Sequence, residues 1–112
     1  MIESRRRTAE KQITEDPNRD VELVRLQQRA ECERLGGEFD QAIRTLSEAL
    51  AIRQASIQKL KAADLDLTAD VAATAELLHA CGHVFSEKGD TEKAQRAHQD
   101  AIQLRRQYAP AA

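Results

Sequence analysis

Gly37-Glu38-Phe39-Asp40-Gln41-Ala42 returns later in the chain as Gly89-Asp90-Thr91-Glu92-Lys93-Ala94, and this recurrence decides the fold. The offset is 52 residues, from Gly37 to Gly89, and it also carries Arg44 onto Arg96, Ala49 onto Ala101 and Arg53 onto Arg105. Similar residues fall in the same register: Glu38 and Asp90, Asp40 and Glu92, Glu48 and Asp100, Leu50 and Ile102, Ile52 and Leu104. Upstream of the glycines it pairs Leu26 with Leu78 and Ala30 with Gly82. The repeated unit is therefore helix, tight turn, helix. Glycine closes the first helix, because it accepts a left-handed backbone, and an acid or hydroxyl opens the second. Ala42, Ala49, Ala94 and Ala101 are small where two helices must approach closely.

The expected fold is all-α, built of antiparallel helical hairpins, with one unit at about 19–63 and the other at about 69–108. Phe39, Ile43, Leu46, Leu50, Ile57 and Leu60 recur in steps of three, four and seven, with no breaker before Asp64. That spacing predicts an unusually long second helix over Asp40–Ala63, about 36 Å from end to end. Asp64 to Asp70 reads as a connection capped by Asp66 or Thr68, with the next helix starting near Ala69. Asp16-Pro17 marks the boundary between a charged, weakly helical segment, 1–18, and the first repeat helix, Arg19 to Leu35. Residues 109–112 form a tail to a single domain spanning 19–108.

Composition supports this reading. Across 112 residues there are 4 glycines and 2 prolines, and helix formers fill the intervals. The 17 basic and 19 acidic residues are interspersed and leave a formal charge of −2, which supplies no field for nucleic acid or an anionic membrane. With 2 Phe, 1 Tyr and no Trp, base stacking has little to work with and the core must be aliphatic and alanine-rich. Cys32 and Cys81 lie at neither metal-finger nor redox-motif spacing, so both are expected to be buried thiols in a reducing compartment. No apolar run has signal-peptide or membrane-spanning length, and a soluble, cytoplasmic protein is expected.

The second unit, Leu78-x2-Cys81-Gly82-x2-Phe85 followed by Ala94-x3-His98 and Ala101, resembles the tetratricopeptide repeat in its spacing. The first reads Leu26-x2-Arg29-Ala30-x2-Glu33, then Ala42-x3-Leu46 and Ala49. The offset of 52 exceeds the roughly 34 residues usual in that family, and no proline closes either unit. Ala49-Leu50-Ala51-Ile52, with Asp70-Val71-Ala72 and Gly89-Asp90, looks like the longer-helix variant of kinesin light chains and many bacterial signalling proteins. The resemblance covers about residues 21–108 and implies a protein-interaction module with a groove lined by the first helix of each unit. It does not extend to the carboxylate clamp of that family, because the groove positions carry Gln27, Glu31, His79 and His83 where Lys and Asn would be needed.

Two units are fewer than the three or so that a stable repeat stack usually requires. The first helix carries two apolar stripes, Leu23, Leu26 and Ala30 on one side and Val21, Val24, Cys32 and Leu35 on another. A homodimer is expected on these grounds, through Val24, Leu35, Ile57 and Leu60. The alternative folds residues 1–18 back over the second stripe.

Glu76, His79, His83 and Glu87 form a polar stripe that, with Gln27, Glu31 and Arg34, is expected to line the groove and hold a partner segment bearing some basic residues. His79-Ala80-Cys81-Gly82-His83 invites a zinc reading, but Cys81 points about 200° away from His79 and is assigned to the core. No metal and no cofactor are assigned. Asp64-x-Asp66-x-Thr68-x-Asp70 echoes a calcium loop, yet Ala69 and Ala75 stand where the turn glycine and closing Glu would be. Arg5-Arg6-Arg7 reads as a solvated helix end, His98 as a half-buried, hydrogen-bonded ring, and Tyr108 as a C-terminal cap. No nucleophile-base pair or phosphate-cradling loop is present, so no enzyme is expected. The expected function is an adaptor or assembly module; a self-assembling structural unit and a metal-responsive sensor using His79 and His83 are the alternatives.

Overall fold

The computed structural model describes residues 17–108; the weakly helical reading of the N-terminal segment, its Arg5-Arg6-Arg7 run and the 109–112 tail lie outside them. Four helices follow one another: α1 (Pro17–Leu35), α2 (Phe39–Ala62), α3 (Thr68–Lys88) and α4 (Thr91–Gln107). Each packs on its neighbour in sequence, and no strand occurs among the described residues. The expected all-α class and the long second helix are both present.

The two glycine turns are closed by the same hydrogen bonds. Gly37 (φ +77°) donates its N–H to the Arg34 carbonyl at 3.0 Å, and Glu38 donates to Glu33 at 2.8 Å. At the offset of 52, Gly89 (φ +95°) donates to Ser86 at 3.0 Å and Asp90 to Phe85 at 2.8 Å. Each pair satisfies helix-end carbonyls that would otherwise lack partners. The long helix ends in the same way without glycine: Asp64 takes φ 56°, and Leu65 donates to the Leu60 carbonyl at 2.9 Å.

One buried cluster joins all four helices. Leu23, Leu26 and Ala30 come from α1, Ala42, Leu46 and Ala49 from α2, Leu77, Cys81 and Val84 from α3, and Ala97 from α4. Five of these ten side chains are alanine or cysteine, so the helices must pack closely for dispersion contacts to form. Phe39, Ile43 and Leu50 are half-buried against the edge of the cluster.

Several expectations are corrected by burial. Ile57 and Leu60 are only 4% and 1% exposed, so the chain itself covers them and they offer no surface to another copy. Cys32 is exposed, because it shares the outer side of α1 with Val21, Val24 and Leu35; only Cys81 is buried. The third helix begins at Thr68 behind an N-cap at Leu67 that makes no side-chain cap hydrogen bond, so neither Asp66 nor Thr68 is the cap; Asp66 Oδ1 instead accepts from the Thr68 N–H at 3.0 Å and from its hydroxyl at 2.7 Å.

Candidate functional site

α1 and α3 both pack on α2 but have little direct contact with each other, and a cleft of about 490 Å³ lies between them. Its floor is apolar: Ala30, Leu46, Leu77, Ala80 and Val84. The stripe logic of the helices explains the walls. Steps of four and three along α3 keep Glu76, Ala80, Val84 and Glu87 near one line. Gln27, Glu31 and Arg34 do the same on α1.

Six of the seven groove residues read from the sequence, Gln27, Glu31, Arg34, Glu76, His83 and Glu87, line this cleft. His79 does not. It lies three residues after Glu76, a turn of roughly 300° that leaves it about 60° off the line and aimed toward α4. There its Nδ1 is 2.8 Å from Nδ1 of His98.

Charge is distributed unevenly along the rim. Arg34 donates from Nε and Nη2 to both oxygens of Glu31 and from Nη1 to Glu87 Oε1 at 2.8 Å, bridging α1 and α3. These bonds raise the Arg34 pKa and hold the Glu31 carboxyl below its usual range. One end of the cleft is thus closed by an ion-pair triad in which Arg34 is neutralised and one negative charge is left over. Towards the other end, Glu76 has no ion-pair partner among the described residues, which leaves a free carboxylate above the apolar floor.

The outer side of α1 is separate. Val21, Val24 and Leu35 are 59%, 52% and 71% exposed, and Val21 and Val24 line a shallow hollow with Asp20, Arg25 and Gln28. A third depression, between α2 and α4, is edged by Gln54, Gln58, Gln103 and Gln107, with Tyr108 half-buried at its end. Tyr108 also stands at the C-terminal cap of α4.

Two constellations were missed at the sequence level. Asp70, read as part of a connection, is 4% exposed and accepts from Arg53 Nη1 at 2.8 Å, with Arg19 Nη1 at 3.6 Å. It ties α3 to α2 and α1. The signal was Arg53 itself, a cation inside the apolar stripe of α2, which demands a counter-charge when packed. The second is the meeting of all 3 histidines of the chain, His79, His83 and His98. The offset pairs Ala30 and Leu46 with Gly82 and His98, so an imidazole replaces a core leucine and a glycine makes room for it. Among the described residues, no group of three or more His, Cys, Asp or Glu side chains is arranged to hold a metal ion. No described helix is long and apolar enough to cross a membrane.

No protein-family model matches the chain, and no curated protein or solved structure matches it either.

Proposed function

We infer that the chain is a tetratricopeptide-like interaction module, an adaptor or assembly part without a catalytic step, whose α1–α3 cleft holds a segment of another protein. The observation that carries this reading is the cleft itself: an apolar floor beneath a rim on which Arg34 is already neutralised and Glu76 is not. Such a surface favours a segment that inserts an aliphatic anchor over Leu77 and Val84 and sets a Lys or Arg beside Glu76. A cytoplasmic setting belongs to the same proposal, supported by two free cysteines, one of them exposed.

The test is selection of peptides from a displayed random library on the whole chain, followed by calorimetric affinities. Enriched peptides should share an apolar residue near a basic one. Glu76→Lys should weaken them by about tenfold or more, and reversal of Glu31 should also weaken them. Binding that is indifferent to Glu76→Lys would discredit the cleft as the site.

A second reading, self-association, is favoured by the exposed Val21, Val24 and Leu35 on the outer side of α1. Light scattering on the same samples distinguishes it. A mass that doubles with concentration in the wild type but not in Val24→Glu supports the dimer, and a monomer at all concentrations removes it.

A further inference from the structure

The three imidazoles come from different helices and touch in a way that limits how many protons they can hold. His79 and His83 lie one turn apart on α3, and His98 reaches across from α4. The His98 ring centre is 5.0 Å from that of His79 and 5.5 Å from that of His83, tilted in the first case and edge-on in the second. The ring rests over Gly82, where a Cβ would come within 2.6 Å of its Nε2.

The 2.8 Å contact joins Nδ1 of His79 to Nδ1 of His98. A nitrogen-to-nitrogen hydrogen bond needs one donor and one acceptor, so at least one of these rings is neutral while the contact stands. When both rings carry protons on Nδ1, two N–H groups oppose each other and two like charges meet.

The groups that disfavour a proton on His79 are His98 and Arg105 from α4 and His83 from α3, while the Glu76 carboxylate lies one turn earlier on α3. We propose that His79, His83 and His98 form a proton-sensitive latch, closed when His79 and His98 share one proton and released, loosening α4 from α3, when both are protonated. Because His83 is also part of the α1–α3 cleft wall, release disturbs that wall. The latch does not depend on what the cleft binds.

Burial lowers the His79 pKa from its ordinary 6.5, and His98, Arg105 and His83 lower it further. A lowered folded-state value means the native protein binds fewer protons than the unfolded chain, so the stabilisation is complete above about pH 6.5 and is lost as pH falls through the folded value. Carboxylates held low by their partners, such as Glu31, Asp40 and Asp66, lose their contribution only at more acid pH.

The experiment follows thermal unfolding of the full chain from about pH 7.5 to about pH 5.5, a window above carboxylate protonation, with an NMR titration of the three imidazoles. Tm should hold in the upper part of the window and fall in the lower part. His79 should titrate below its ordinary value, and α4 amides should exchange faster as it does. His98→Gln, which retains a hydrogen-bonding side chain but cannot become a cation, should lose the part of the drop that His98 contributes and keep the part due to burial. A flat wild-type profile, or an equal drop in folded His98→Gln, overturns the latch. If His98→Gln does not fold, wild-type amide exchange decides: α4 protection unchanged across the His79 titration overturns it as well.

Discussion

At residue scale, the two copies of the turn differ by one methylene in a position where that length matters. Asp90 precedes α4 with φ −91° and ψ 78°, and its Oδ1 accepts from the Lys93 N–H at 3.1 Å. Glu38 precedes α2 with nearly the same backbone, φ −87° and ψ 68°, yet makes no side-chain cap. The longer side chain is a poor N-cap, whereas Asp is among the best. Asp90→Ala should therefore cost about 1 kcal/mol in urea unfolding, and Glu38→Asp should gain up to about 1 kcal/mol, from a change that touches no core atom. Equal midpoints for wild type and Glu38→Asp would show that the first turn is satisfied in some other way. The repeat made both positions visible in the sequence. Which acid caps follows from reach, the shorter Asp90 over the longer Glu38.

At the scale of the helix, periodicity told which side of α1 is buried but only part of the story of α3. Leu23, Leu26 and Ala30 are all under 5% exposed, on the stripe read from their spacing. α3 has neighbours on several sides, so one polar stripe cannot describe it: Glu76, His83 and Glu87 border the cleft, while His79 sits against α4. Gly82 is where the two readings meet. In a helix interior, Gly→Ala gains about 1 kcal/mol when nothing opposes the new methyl. Here His98 opposes it, with Nε2, Cε1 and Cδ2 all within 2.9 Å of the added Cβ. Gly82→Ala should thus destabilise the wild type but stabilise a His98→Ala background, giving a coupling of about 1 kcal/mol or more in a double-mutant cycle. Additive effects would mean that the His98 ring moves aside freely and that its fit over Gly82 is incidental.

For the whole molecule, the question is whether two hairpins joined by a short connection behave as one body. The apolar cluster crosses from one hairpin to the other, and so does the buried charge network of Arg19, Arg53 and Asp70, to which Ser56 adds a contact with Arg19 at 3.3 Å. Hydrophobic spacing made the hairpins legible; of the network it showed only Arg53, the cation in the apolar stripe of α2, and not its partners, because they are far apart in sequence. A lone Asp70→Ala leaves Arg53 beside a hole with its guanidinium largely out of water. That uncompensated charge should cost about 3–5 kcal/mol, whereas the paired change Asp70→Leu with Arg53→Met should cost much less, since an apolar pair of similar volume needs no counter-ion. Because the network spans three helices, the loss in Asp70→Ala should lower protection in α1, α2 and α3 together and shift one urea transition without splitting it. If native-state hydrogen exchange instead shows α1 and α2 unchanged while α3 opens alone, the hairpins are energetically separate, and the cleft between α1 and α3 has walls that move independently rather than one preformed shape.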